Sequence, residues 1–452
     1  MSQCTTISTN FEADWSHFVD EARNNKRLQQ LKCFVDDLRC RADLILNTKE
    51  DLDSYLSKHY STLTISHTAK YLGSKFLFSN HISPNDCDEN ILFEYTFRLD
   101  DQYRNYLSSA VRPKNNSWDQ WRRSQARRFR NEDKSTRASK ITYIAFAVEL
   151  TNGCSGGCRF CGFSAPQLNQ NITEYDQNHR MYRTFLEEIA AIAGNEYGKT
   201  GVLYWATDPL DHPQYHFYAR DFAEVFGMYP HTTTAIAENK IPLIKEIINE
   251  HTNFSNRPWG IRCSLRSSKA YEKLRNHLSI TERSIIQMNP QYSGKQVSYA
   301  RSGRAFQQST KSDQMLHGGT IACMTGFLFT LPKNHIQMIT PCLADNFNIN
   351  GYRTLHNTIL KSSTGIRDTL ITALKITDHP IVNDNTLIKF NADYHLLRHY
   401  KTEEGLSIPK NLSSLRVPIK LLFNVFEGYS KRESIENMLF QMLRDGVALV
   451  ES

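Results

Sequence analysis

Three cysteines are spaced for metal chemistry. The run T-N-G-C-S-G-G-C-R-F-C-G puts Cys154, Cys158 and Cys161 in a C-x3-C-x2-C pattern on one glycine-rich stretch. Thiolates are the ligands that iron–sulfur clusters need, and a tight glycine-rich loop lets three sulfurs converge on one cube. Three protein ligands leave one iron of a four-iron cluster open, and an open position is what a substrate or cofactor requires. A structural zinc site wants a fourth ligand, for which His179, the nearest downstream histidine, is poorly spaced. A triple with no metal is the remaining reading. The other seven cysteines (Cys4, Cys33, Cys40, Cys87, Cys263, Cys323, Cys342) form no disulfide framework by spacing, which suits a reducing compartment.

The elements that must hold this loop read as α/β. Residues 141–150 (ITYIAFAVEL) predict a buried strand leading straight into the cysteines. Downstream, helical periodicity over 175–193, 215–226, 241–251 and 269–277 alternates with apolar runs at 201–206, 231–237 and 259–265. After a polar stretch from Ser279 to Gly318, TIACMTGFLFTL and HIQMIT add two more strands. Alternation of this kind indicates a parallel sheet or barrel, here a partial (β/α)6 barrel over 141–360, short of the full eightfold closure. Residues 1–140 predict a mostly helical N-terminal domain, with Leu28, Leu31, Val35 and Leu38 on one face. Within it, Ser117 and Gln120 form an S-x-x-Q capping box, followed by a stripe of Trp118, Trp121, Gln125 and Phe129. Residues 361–452 predict a small α+β, winged-helix-like module: an apolar helix ending near Gly428, a box of Ser430 and Glu433, a second helix closed by Gly446, then a short strand.

The formal net charge of +7 is concentrated between Arg112 and Lys140, where ten basic residues face three acidic ones. A solvated helix face is the plain reading, and a patch for an acidic partner the other. No apolar run approaches a membrane span, and the N-terminus carries no secretory signal, so the expected location is cytoplasmic.

The cysteine loop, with aromatic Phe160 before the third cysteine, resembles the signature of the radical S-adenosylmethionine (SAM) superfamily over residues 141–345. The resemblance implies a [4Fe-4S] cluster on Cys154, Cys158 and Cys161, with SAM chelating the open iron. Where that family often has Gly-Gly-Glu, this chain has Ala206-Thr207-Asp208, which departs in letters but keeps polar atoms for the SAM amino group. Ser264 resembles a ribose- and carboxylate-contacting position. Arg275, in Tyr271-Glu272-Lys273-Leu274-Arg275, resembles an arginine that pairs with the SAM carboxylate. Reductive cleavage of SAM would yield a 5′-deoxyadenosyl radical that abstracts hydrogen from substrate.

The passages YWATDPLDHPQY, GGTIACMTGFLFTL and IQMITPCLADNFNINGYRT further resemble the radical SAM epimerases that turn L- into D-residues in ribosomally made peptides of the proteusin type. That implies a precursor peptide, leader plus core, as substrate and a flavodoxin- or ferredoxin-like reductant as electron donor. Inversion needs a second hydrogen from the opposite face, and a thiol is the obvious donor. Cys263 alternates with Ser264 and should face outward, while Cys323 begins a strand and could be core. Cys342 ends a strand, where barrel active sites sit, and is the expected donor. Only Cys323 and Cys342 follow the fourth strand, too few for an auxiliary cluster, which favours a redox-neutral outcome. The alternatives are thioether or carbon–carbon crosslinking, and RNA modification with the 112–140 helix on a phosphate backbone; a nucleic-acid partner is the less favoured of these.

Overall fold

The structure is a computed structural model. It describes residues 23–41, 52–64, 106, 111–133, 141–169, 172–254, 260–292, 301–308, 320, 322–346, 348–378, 385, 387–390, 397, 400–405, 416–426, 431–445 and 447–451. In chain order the helices are α1 (Lys26–Arg41), α2 (Leu52–His59), α3 (Asn116–Glu132), α4 (Tyr175–Ala193), α5 (Tyr215–Phe226) and α6 (Ile241–Phe254). They continue as α7 (Ser268–His277), α8 (Ile280–Ile285), α9 (Gly303–Gln308), α10 (Ile366–Asp378), α11 (Ile419–Phe426) and α12 (Arg432–Arg444). The strands are β1 (Ile144–Glu149), β2 (Thr232–Thr234), β3 (Ile261–Leu265), β4 (Ile286–Pro290) and β5 (Met324–Thr330). After them come β6 (His335–Pro341), β7 (Tyr352–Ile359), β8 (Leu387–Phe390), β9 (Arg416–Pro418) and β10 (Ala448–Glu451). The class is mixed α/β built on small sheets, with no closed barrel among the described residues.

The chain divides into two compact units that interleave in sequence: Met1–Tyr106 with Asp208–Ser298, and Leu107–Thr207 with Tyr299–Ser452. This differs from the three consecutive segments expected. The basic helix α3 packs on β5 and β6, and α10 packs on α3, α4 and α12, so both go with the sheet that follows the cysteine loop.

In the second unit the sheet order is β1-β5-β6-β7. Every residue of β1 is buried, as a strand covered on both faces requires. Strand β1 runs parallel to β5, but β6 is antiparallel to both its neighbours. The sequence predicts another parallel strand there. The link from Thr330 to His335 is a single 3-10 turn, Leu331–Lys333, closed by Asn334 at φ +49°, which leaves no room for a crossover. The expected strand at 201–206 reduces to one bridge, Ala147 with Val202, before the chain bends. Strand β7 was not foreseen.

Helix α3 is capped by Asn115, whose side chain accepts the Trp118 amide at 3.0 Å, two residues before the expected Ser117. Trp118, Trp121 and Phe129 are fully buried, and the Trp118 indole donates to the Thr325 carbonyl at 3.1 Å. Arg122 and Arg128 are buried as well, while Arg123, Arg127 and Arg130 face water. The helix is thus neither a solvated face throughout nor a stacking platform for bases, since its rings are spent on the core. Lys134, Arg137 and Lys140 lie outside the described residues. At the C-terminal end, β10-β8-β9 form an antiparallel sheet that shares a core of Ile388, Leu422, Met438, Leu439 and Met442 with α11 and α12. The proposed cap Ser430 and stop Gly446 lie outside the described residues.

In the first unit β2, β3 and β4 are parallel in that order, with α5 to α8 as connections or flanks. Strand β4 falls in the stretch read as polar. Helix α1 packs on α7, α8 and β4 through Asp37, a fully buried carboxylate. Asp37 accepts from the hydroxyls of Tyr55, Tyr60 and Tyr271 and pairs with Arg275 at 3.2 Å and Arg283 at 3.4 Å. No helix of the described residues is long and apolar enough to cross a membrane.

Candidate functional site

The cysteine loop leaves β1 at Glu149 and returns on itself. The Cys154 amide donates to the Pro166 carbonyl at 2.9 Å, and the Asn169 amide to the Asn152 carbonyl at 2.8 Å, closing the mouth of the loop. Gly153 makes this possible: its φ is +92°, and a Cβ there would lie 2.3 Å from the Gln167 carbonyl oxygen. Inside, the Cys161 amide donates to the Cys158 carbonyl at 3.2 Å. None of the three is joined in a disulfide, and all three are half-buried, as is Phe160. The Gly156 amide points at the Cys154 sulfur, 3.3 Å away, a contact that favours a thiolate.

A second element clamps this loop from outside. Arg304, on α9, donates to the Cys158 carbonyl at 3.0 Å and to the Ala165 carbonyl at 2.8 Å, while the Ala305 amide donates to the Cys161 carbonyl at 2.9 Å. Gly303 has φ +56° and sits so close that a Cβ would come within 2.5 Å of the Gly162 backbone. Sequence reasoning passed over Arg304 because it lies in the polar stretch; the adjoining glycine was the available signal. Among the described residues no three histidine, cysteine or acidic side chains converge on a single-ion site. A cubane cluster takes each thiolate on a different iron, so three half-buried cysteines outside any disulfide on one pinned loop fit that group.

Beside the loop lies an aromatic wall. Phe163, two residues past Cys161, stacks on Trp205 at 4.6 Å between centroids, and Tyr352 meets both rings edge-on at 6.2 and 5.9 Å. Glu149 ends β1 near this wall. Its carboxylate accepts the Ala206 amide at 2.9 Å and the Thr330 hydroxyl at 2.7 Å. The neighbouring Thr207 hydroxyl is buried without a hydrogen-bond partner among the described residues, so it has capacity left for a ligand.

Cys342 is 1% exposed, and burial pushes its thiol up to about 11, against the lowering fields of Arg353 and Arg128. Because β6 runs antiparallel, its end lies beside the start of β5 and β1, not at the end from which the cysteine loop departs. The strand that leads to Cys342 is thus antiparallel where a parallel one was expected, and Pro341 before it pairs with Tyr352, whose ring meets Phe163 of the cysteine loop. Its surroundings are a buried ion cluster: Glu132 pairs with Arg128 at 2.6 Å and Arg353 at 2.8 Å, and Arg128 also donates to the Pro341 carbonyl. Cys323, half-buried, packs against the apolar cluster of Trp205, as Phe163 and Tyr352 do.

Three expected SAM contacts belong to the first unit. Asp208 is buried and accepts the Ala235 amide at 2.7 Å, the Thr234 hydroxyl at 2.8 Å and the Leu210 amide at 3.1 Å, capping the turn Pro209–Asp211. Burial pushes its carboxyl up to about 7, opposed by those hydrogen bonds. Ser264 is half-exposed on β3 and Cys263 buried, the alternation expected. Arg275 is committed to Asp37 and so departs from its expected role: the Tyr271–Arg275 motif builds a core network in which both side chains end on one carboxylate.

No family profile and no solved structure matches the chain. It is 28% identical over 261 residues to a protein described as uncharacterized, y4wI of Sinorhizobium fredii (strain NBRC 101917 / NGR234), covering 55% of this chain. The chain spans about half the length of that relative, the aligned part being 50% of it.

Proposed function

We propose that the chain is a radical SAM enzyme with a partial-barrel core, and that it epimerises residues of a ribosomally made precursor peptide. The observation that carries the first part is the pinned cysteine loop, with three half-buried cysteines outside any disulfide and a backbone amide aimed at one sulfur. When bound, the cluster and SAM supply a carbon-centred oxidant strong enough to take a peptide Cα hydrogen. This chain's residues would do the rest. Cys154, Cys158 and Cys161 hold the cluster, and Arg304 holds their loop. Thr207, whose buried hydroxyl has no partner among the described residues, is a proposed SAM contact.

The finer reading needs a thiol to return hydrogen. Cys342 is the donor assigned from the resemblance, and burial favours the S–H form that such a donor must have. A second assignment, Cys323, is favoured by its packing on the same apolar cluster against which Phe163 of the cysteine loop packs. The C-terminal sheet and helices, with a core of their own, are the proposed winged-helix-like reader of the leader.

The deciding experiment is anaerobic reconstitution with iron and sulfide, then incubation with SAM, reductant and the neighbouring precursor peptide in deuterated water. Epimerisation predicts one added mass unit per D-residue, 5′-deoxyadenosine as product, and loss of both in the Cys154, Cys158, Cys161 triple alanine variant. A loss of two hydrogens would point to crosslinking. Stoichiometric zinc without iron-dependent activity would end the radical reading.

A further inference from the structure

Glu149 is a buried carboxylate, 8% exposed, that makes no ion pair among the described residues. Burial raises its pKa, opposed by the hydrogen bonds from Thr330 and the Ala206 amide and, last, by the field of Lys333. Carboxylates are seldom buried unless paired, because desolvation of the charge outweighs two neutral hydrogen bonds. An ionised carboxylate has about four acceptor sites, and the Ala206 amide and Thr330 hydroxyl take two.

The surroundings say what could take the others. Strand alternation puts Glu149 on the side of Ala147, and Ala147 belongs to the cluster of Trp205 and Leu328 against which Phe163 and Tyr352 pack. The carboxylate is close enough to Tyr352 for its field to raise the phenol's pKa, after burial itself. Phe163 and Tyr352 are partly exposed. A carboxylate hydrogen-bonded to the amide next to Trp205, with Tyr352 within its field, is the chemistry that recognises an organic cation carrying apolar substituents: the charge is neutralised, and the ring faces attract the polarised C–H groups.

We propose that Glu149, Phe163, Trp205 and Tyr352 form the subsite that selects the sulfonium of SAM. The inference rests on the radical SAM reading. With the amino and carboxylate groups of SAM spent on iron, the sulfonium is the one cationic centre left, and Phe163 stands two residues from a proposed cluster ligand. The assignment gives Glu149 a role for which the sequence had no candidate, and it differs from the amino-group contact expected of Asp208, whose oxygens serve Thr234, Ala235 and Leu210.

The test compares SAM with S-adenosylhomocysteine, which lacks the sulfonium's methyl group and its charge and keeps the other groups. The full chain, reconstituted anaerobically, should bind SAM more tightly than the homocysteine analogue. Glu149→Gln keeps an acceptor for the Ala206 amide and can donate to Thr330, so iron content and melting temperature should match the parent. Its affinity for SAM should fall about tenfold while that for S-adenosylhomocysteine stays roughly constant. Tyr352→Leu should lower the same ratio by a smaller factor, and it decides the matter if Glu149→Gln does not assemble. A parent-like ratio in the variant that assembles overturns the inference alone. A parent protein with a complete cluster that binds neither compound overturns the radical SAM reading itself.

Discussion

A thiol can hand over a hydrogen atom only while it carries one. Burial keeps Cys342 protonated, with a pKa of about 11 against an ordinary 9.0. A raised acid pKa in the folded state gives stability that is complete below pH 9 and lost as pH climbs toward 11. Relative to Cys342→Ala, the parent should therefore lose on the order of 2–3 kcal/mol across that window, and the difference between the two should be flat below it, measured by urea unfolding. The donor role is tested separately. If Cys342 is the donor, Cys342→Ala should keep the cluster and still form 5′-deoxyadenosine, while D-residues fall at least tenfold and Cys323→Ala stays near the parent. The reverse pattern moves the role to Cys323. Cys263→Ala should leave epimerisation largely intact, since Cys263 is buried where alternating Ser264 is half-exposed.

Helix α9 is six residues long and does its work by approach, not by length. Gly303 admits it against Gly162, and Arg304 then spans two carbonyls seven positions apart on the cysteine loop. Arg304→Met should loosen that loop by about 1.5 kcal/mol, roughly tenfold in an equilibrium. The expected readout is faster loss of iron to a chelator, with a shifted paramagnetic spectrum of the reduced cluster and an unchanged far-ultraviolet circular dichroism. Arg304→Lys, which reaches one carbonyl but not both, should be intermediate; equal chelation rates in all three proteins would remove the clamp from the argument. The same logic of approach explains α3. Its rings and two of its arginines turn inward because β5 and β6 lie beneath them, whereas charge counting alone spreads every arginine over the surface.

The two units interleave, so the segment from 107 to 207 shares a unit with 299–452 and not with its immediate neighbours in sequence. The sheet β10-β8-β9 with α11 and α12 encloses its own apolar core, and it is tied to α3 by the Gln125 side chain donating to the Arg444 carbonyl at 3.1 Å. If this part reads the leader, deletion of residues 380–452 should weaken precursor binding at least tenfold and leave uncoupled SAM cleavage in place. Normal leader binding by the folded truncation would shift that role to the N-terminal helices.

The spacing of Cys154, Cys158 and Cys161, the buried strand before them and helices α4 to α7 were legible in the chain itself. Each depends on neighbours within a few residues: turn-forming glycines, or apolar positions recurring every three or four. Strands β4 and β7 were not, because their residues are too polar for a pattern and acquire strand geometry from the partners beside them. Tertiary structure alone decided the direction of β6, the burial of Arg122 and Arg128, and the commitments of Arg275 to Asp37 and of Asp208 to Thr234. A charged group's role is set by which opposite charge or donor arrives beside it from elsewhere in the chain. Asp37 and Arg275 are 238 positions apart, a separation over which no local pattern carries information.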